Sequence, residues 1–454
     1  MRLWFLLPLL ACCASSFSQT YIPRQKAFDD VDYFIKTMEE VHVNPYMFVT
    51  REKLNSAVQQ LKDGLGDSVS TRELITKLYS ITSLLKDAHT SPAIFQTIFQ
   101  DELKKEQFFP WELVVYEDQL YVPVSTSKLS GVPAGAIIEQ INGYKMKSLL
   151  QQMNSYYGGN EIYAREMTVK LFGYFLFLNN IKAPFHILYK DTAGITGTLR
   201  LEKGVTFGKA LVTTMPHLRT PYTFEIIDKR VGYFNFMGMS SQMDLLQRYL
   251  DSCMKIMRDN NINVLAIDLR KNSGGNSLLA NLVISYFSNA KYNLMGGREW
   301  KVSKLYKEYL IQNGNTASDY LKKENGTIWK LGGCKPVKSP FLQKELFTGT
   351  VYLITGPFTF SSANMFADGV KEYKLATVIG EPTGENTNDF GEIFNITLPH
   401  SNIKMQVTTS YDYGAGCKKN IFQPVIPDIP VYSTLQDKIQ QKDKVLEYIL
   451  LQIK

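Results

Sequence analysis

The chain has 454 residues, 44% of them hydrophobic and 12% aromatic, enough to fill a core and exclude general disorder. Its 30 Gly and 18 Pro are ordinary in number, which excludes collagen-like and low-complexity classes. Five Cys cannot hold a disulfide scaffold of this length, and a formal charge of +7 without a dense Lys/Arg run gives no sign of nucleic-acid binding.

At ~100–200 residues per domain the length suggests two to four domains. Arg2 precedes the apolar run Leu3–Ala11, and small or polar residues follow up to Gln19. This reads as a signal peptide over residues 1–18, cleaved after Ser18. The run falls short of the ~20 apolar residues a membrane span needs. An alternative is lipid attachment at Cys12, because Leu9-Leu10-Ala11-Cys12 is a loose lipobox. The protein is therefore expected to be exported, periplasmic or extracellular, or tethered as a lipoprotein in the alternative. Cys253, Cys334 and Cys417 remain after cleavage. None lies in a CxxC or a Cys/His cluster, so buried or idle thiols and no metal site are expected.

Residues 19–104 read as an N-terminal helical domain. Phe28, Val31, Phe34, Ile35, Met38 and Val41 recur at helical spacing, as do apolar residues in 51–62 and 71–86, with Thr71 as the cap of the last. Residues 105–155 change to strand-like runs, Leu113–Tyr116 and Leu120–Val124, followed by Gly131–Gly143 and a helix over 147–153. That order resembles the second half of a PDZ domain; a generic hairpin plus helix is the plainer reading. Residues 156–229 form a connecting β-rich segment, with a strand at 185–189.

From Val231 strands alternate with helices: strands at 231–236, 264–269, 350–355 and 376–380, helices at 243–260, 277–287 and 362–373. Such alternation implies βαβ units and a largely parallel layer across 230–432. The Lys-, Tyr- and Gly-rich stretch 291–345 interrupts it and reads as a surface insertion. Residues 433–454 read as one C-terminal helix.

In open α/β sheets, sites lie at the carboxyl ends of strands. Two such junctions here are unusual. Asp268-Leu-Arg-Lys-Asn-Ser-Gly-Gly275 places paired glycines where backbone N–H groups can approach an oxyanion, although a plain turn would look the same. It lacks GxxxxGK[ST], so a P-loop is a poor reading. Thr355-Gly-Pro-Phe-Thr-Phe-Ser-Ser-Ala-Asn364 places two serines at a helix N-terminus, suited either to a nucleophile or to an N-cap. A serine nucleophile needs a base. Of five histidines, His89 stands out in Leu85-Lys-Asp-Ala-His-Thr90, just past a helix.

Taken in order, these segments resemble the tail-specific (C-terminal-processing) protease family, which includes the tricorn core and the interphotoreceptor retinoid-binding repeats. The resemblance covers residues ~25–432. It rests on Asp-Ala-His-Thr90, the PDZ-like part, Val231-Gly-Tyr-Phe, Ile267-Asp-Leu-Arg-Lys-Asn-Ser-Gly-Gly275, Thr359-Phe-Ser-Ser-Ala-Asn364, Gly380-Glu-Pro-Thr383 and Pro427-Asp428. It implies an α/β multidomain fold: an N-terminal helical unit, a PDZ-like insert and a crotonase/ClpP-like catalytic domain. It also implies a serine-type endopeptidase with Ser361 as nucleophile, an oxyanion hole from the amides of Ser362 and of Gly274 or Gly275, and no cofactor or metal. One branch has a lysine base after Gly-Glu-Pro-Thr; Asn386 holds that place here. The tricorn-like branch uses a histidine, which His89 matches. Its serine before the histidine is Ala88 here, and Asn364 replaces an acidic residue. Its late-strand glutamate has no counterpart in Met405–Asp412, which offers Thr408, Thr409, Ser410 and Asp412.

The expected function is peptide hydrolysis by Ser361 and His89, with a peptide or protein substrate docked by the PDZ-like part. The alternative, motivated by the departures, is a catalytically impaired protein on the same fold that binds peptide or lipid.

Overall fold

The computed structural model describes residues 21–94, 96–209 and 220–453, so the export segment 1–18, Cys12 and His217 lie outside the described residues. The N-terminal periodicity forms α1 (Arg24–Val41), α2 (Arg51–Asp63) and α3 (Thr71–Thr82). One stripe of α1, Val31, Phe34, Met38 and Val41, is fully buried, as its spacing requires. The cap of α3 is Ser70, whose hydroxyl accepts from the Glu73 amide at 3.2 Å; Thr71 is already helical.

Next come β1 (Val114–Tyr116), β2 (Gln119–Tyr121) and β3 (Ile137–Ile141). Helices α4 (Met146–Asn154), α5 (Glu161–Lys170) and α6 (Phe172–Leu178) follow, then β4 (Phe185–Lys190) and β5 (Thr196–Leu201). One sheet runs β1-β2-β3-β4-β5. The segment expected as a connection thus supplies two strands of that sheet. Local patterning could not reveal this, because the pairing Ile138↔Tyr189 spans three intervening helices.

The remaining elements are β6 (Tyr222–Ile227), β7 (Val231–Phe236), α7 (Met243–Asp259), β8 (Val264–Asp268), α8 (Leu278–Ser285), β9 (Gly297–Lys301), β10 (Ile328–Leu331), β11 (Thr350–Thr355), α9 (Ser362–Glu372), β12 (Thr377–Gly380), β13 (Asp389–Thr397), β14 (Lys404–Tyr413), β15 (Ile429–Pro430), α10 (Leu435–Gln440) and α11 (Lys444–Gln452). The central sheet runs β6-β7-β8-β11-β12-β15, parallel except for β6 against β7. Along β8, Leu265 and Ile267 pack with Leu250, Val283 and Phe366 of α7, α8 and α9. Val264 and Ala266 face the opposite core with Val445 and Ile449 of α11. Covering both faces explains why β8 is an unbroken apolar run. The C-terminal part is two helices, not one: Gln441 turns the chain at φ +55°, after a capping box of Thr434 and Asp437.

A second sheet runs β10-β9-β14-β13, with Ser91–Pro92 paired to β14. The stretch 291–345 is therefore no surface insertion. Its strand β9 lies between β10 and β14, and Trp300 is buried and stacked on Trp329 at 4.6 Å. Among the described residues no helix is long and apolar enough to cross a membrane.

Cys334 and Cys417 form a disulfide across 83 residues, while Cys253 is free and buried. The idle-thiol expectation therefore holds for Cys253 alone. Cross-linking so long a loop removes unfolded-state entropy, so C334S/C417S is expected to lose about 2–4 kcal/mol of stability. Urea unfolding of the oxidised protein and the double variant measures it; coincident midpoints would deny the bridge a stabilising role.

Candidate active site

Strands β8 and β11 end side by side, with Asp268 opposite Ile354. Beyond β8, the turn is held by Asn272, which is fully buried. Asn272 Oδ1 accepts from the Gly274 amide at 2.9 Å, and its Nδ2 donates to the Phe236 carbonyl at 2.8 Å. Gly274 has φ +94°, and a Cβ there would stand 2.8 Å from both Ser361 Cβ and the Ser362 nitrogen. Only glycine lets this turn touch the second junction.

Beyond β11, Thr359 anchors the turn by donating its hydroxyl to the Leu269 carbonyl at 2.9 Å. Ser361 then adopts φ +53°, ψ −128° directly before α9. A non-glycine residue held there costs about 1–3 kcal/mol, and such strain clusters at functional sites. The strand–turn–helix elbow presents the Ser361 hydroxyl at the start of α9. That hydroxyl makes no capping bond, so the plain N-cap reading does not hold. Ser362 Oγ donates to the Gly275 carbonyl at 2.6 Å and ties the two junctions together. The Gly274 amide is already engaged by Asn272, whereas the amides of Gly275 and Ser362 line the cavity.

His89 reaches this place from the N-terminal helical unit. Asp87, fully buried, accepts from the His89 amide at 2.8 Å and from Thr408 Oγ1 at 2.5 Å. It also faces His42 Nε2 at 3.3 Å. His42 Nδ1 accepts from the Asn44 amide at 3.1 Å, so Nε2 carries the proton toward Asp87. Burial alone would raise Asp87, but His42, His89 and Thr408 hold it down to about 2. Thr90 Oγ1 accepts from the Thr408 amide at 3.0 Å, and Ser91 pairs with Gln406. The histidine is thus pinned to β14 from both sides. Its ring packs on Phe360, centroids 4.8 Å apart, and Phe360 stacks on Tyr163 at 4.3 Å.

The acidic member absent from the late strand comes from elsewhere. A Cβ on Gly384 would lie 1.9 Å from the Pro357 carbonyl, and this close approach lays Glu385 against Ser361. Glu385 Oε2 accepts the Ser361 amide, and Oε1 is 3.4 Å from His89 Nδ1. The two side chains are only 4% and 8% exposed. The signal was within reach, since Glu385 lies two residues beyond the Gly380-Glu-Pro-Thr383 run already singled out. The late-strand candidates serve other partners: Thr408 bonds Asp87, Ser410 bonds Asp412 at 3.3 Å, and Asp412 pairs with Arg298. Thr409 reaches Glu392 at 3.4 Å. Asn386, at the lysine position, offers its carbonyl to Asn364 Nδ2 at 2.8 Å.

Ser361, His89, Glu385, Gly275 and Ser362 all line one cavity of about 590 Å³. Burial lowers His89 below the ordinary imidazole value despite Asp87 and Asp412. Burial, with Asp389 nearby, raises Glu385 well above the carboxylate range, against the opposing Ser361 amide.

Residues 230–431 match the model of Peptidase family S41. The matched residues include Ser361, Glu385 and both strand-to-helix junctions, whereas His89 lies outside them. The whole chain is similar in fold to mature CPAF, at 15% identity and TM-score 0.65 over 94% of this chain and 96% of that one. Mature CPAF complexed with lactacystin is similar at 15% identity and TM-score 0.64, covering 94% and 97%.

Proposed function

We propose that the chain is an exported serine endopeptidase in which Ser361 is the nucleophile, His89 the base and Glu385 the residue that orients His89. The observation that carries this reading is Glu385, which spans from the Ser361 amide to His89 Nδ1. With the His89 proton held on Nδ1 by Glu385, Nε2 is left to take the Ser361 proton as Oγ attacks the scissile carbonyl. The same imidazolium then protonates the leaving amine, and water hydrolyses the acyl-enzyme by the reverse proton path. Amides of Gly275 and Ser362 stabilise the oxyanion at the N-terminus of α9. The PDZ-like part, residues 105–155, supplies β1–β3 of the first sheet and would dock a peptide by strand addition at that sheet's edge. Export is supported by the Arg2–Ser18 pattern and by the Cys334–Cys417 disulfide, which persists in an oxidising compartment.

A binding-only role was motivated by Ala88, Asn364 and a missing glutamate. Glu385 supplies an acid beside the base, so that motive weakens. A fluorophosphonate probe tests the reading: labelling at Ser361 that disappears in His89→Ala is expected. An unlabelled wild-type protein would overturn it.

The Glu385–His89 pair also sets the pH dependence. The inactive form holds one more proton, either on Glu385 or as the imidazolium. The active form has ionised Glu385 and neutral His89. Activity therefore rises with pH as the pair loses that proton. A rate that falls as pH increases from 5 to 8 would contradict the assignment.

A further inference from the structure

Charge inside the cavity is unbalanced. Asp389 on β13 stands directly opposite Asp412 on β14, so two carboxylates oppose each other across the strands. Arg298 on β9 sits opposite Asp412 in turn and grips it with two bonds, 2.5 and 2.6 Å. The same guanidinium also pairs with Glu392. Arg298 is thus spent on two carboxylates, and among the described residues no lysine or arginine pairs with Asp389. Burial and the neighbouring carboxylates Asp87 and Asp412 push the Asp389 carboxyl well above its ordinary range.

A second observation is independent of that cluster. Asn364, only 3% exposed, lines the same cavity. Its Nδ2 is committed to the Asn386 carbonyl, which fixes the amide orientation, and its Oδ1 has no hydrogen-bond partner. A buried acceptor without a donor is costly, so Asn364 Oδ1 calls for a donor that the surrounding side chains do not supply. A metal ion is not the natural remedy, because among the described residues no group of three or more His, Cys, Asp or Glu could hold one. An ammonium or guanidinium supplies both the charge and several N–H donors.

We propose that the acidic wall around Asp389 binds a basic side chain, lysine or arginine, of the peptide substrate, with Asn364 Oδ1 accepting from it. The inference rests on the peptidase reading of this cavity and adds the substrate class.

The test uses the full chain carrying Ser361→Ala, so that binding is read without turnover. Capped octapeptides of alanine and glycine carry lysine or norleucine at one position in turn. Norleucine keeps the stem and removes the charge. Calorimetry is expected to show lysine bound about 10- to 100-fold more tightly than norleucine at one position. Adding Asp389→Asn should reduce that ratio to below about threefold, and Asp389→Glu should retain most of it. If Asp389→Asn fails to fold, Asn364→Ala in the same background should still shrink the ratio. Equal affinities at every position, no binding of either peptide, or a preference that survives Asp389→Asn would overturn the proposal. Cleavage by the wild-type chain separates the two ideas. Norleucine peptides cleaved without any lysine preference sink the basic-residue inference alone. A lysine preference in binding with no peptide cleaved sinks the peptidase reading alone.

Discussion

Ser361→Ala is expected to lower turnover of a cleaved peptide at least ~10³-fold, the scale on which a nucleophile's loss is felt. A residual rate above the uncatalysed one should persist, because the Gly275 and Ser362 amides and the substrate-binding cavity remain. The structure also separates this loss from unfolding. Alanine keeps the Cβ, so the elbow at φ +53° is as strained as before and Tm should change little. Ser361→Gly should be equally inactive. It relieves the left-handed strain, partly offset by the extra unfolded-state freedom of glycine, so it should be no less stable than Ser361→Ala. Peptide turnover and thermal unfolding of both variants check this. A variant that stays folded and keeps the wild-type rate would remove Ser361 from the mechanism.

Legibility from sequence followed the range over which each interaction acts. Strand β8 and helices α1, α7 and α9 declared themselves because their burial patterns are local: an unbroken apolar run between two covered faces, or a stripe at helical spacing. Ser361, His89 and the glycine turn were visible because each sits at an element boundary with unusual residues. What stayed hidden was created by pairing between distant segments. Strands β4 and β5 join β1–β3 only after α4–α6 have intervened. Strand β9 reads from sequence as part of an insertion because its alternation is brief and flanked by polar loops, yet β14 pairs with it and brings Arg298 to the cavity. The disulfide joins residues 83 positions apart, a distance at which three cysteines give no pairing. Glu385 was missed for a different reason. The family pattern places an acid on the late strand, whereas the chain delivers one just past the Gly380-Glu-Pro-Thr383 run, through the tight contact of Gly384 with Pro357.

Glu385→Gln is the sharper test of the site, because the substitution keeps the shape and changes the proton. Oε1 of glutamine can still accept the Ser361 amide, so the elbow should stay in place. The amide nitrogen then faces His89 Nδ1 and donates to it, which forces the proton onto Nε2 and leaves the ring unable to act as base. A wrong tautomer of this kind in a serine triad costs on the order of 10⁴ in kcat, and a loss of about 10³–10⁴ is expected here. The pH profile should move as well. In the wild-type chain the last proton leaves a pair, and ionised Glu385 favours the imidazolium. Without that charge His89, already lowered by burial, gives up its proton more readily, so the residual activity should rise at more acid pH than in the wild type. A merely structural role for Glu385 would lower the rate without moving the midpoint. Glu385→Asp retains the charge but is one methylene short across a 3.4 Å approach, so it should recover part of the rate and a pH profile closer to that of the wild type. Full activity in Glu385→Gln would remove Glu385 from the mechanism and leave His89 to be oriented by Asp87 and β14 alone.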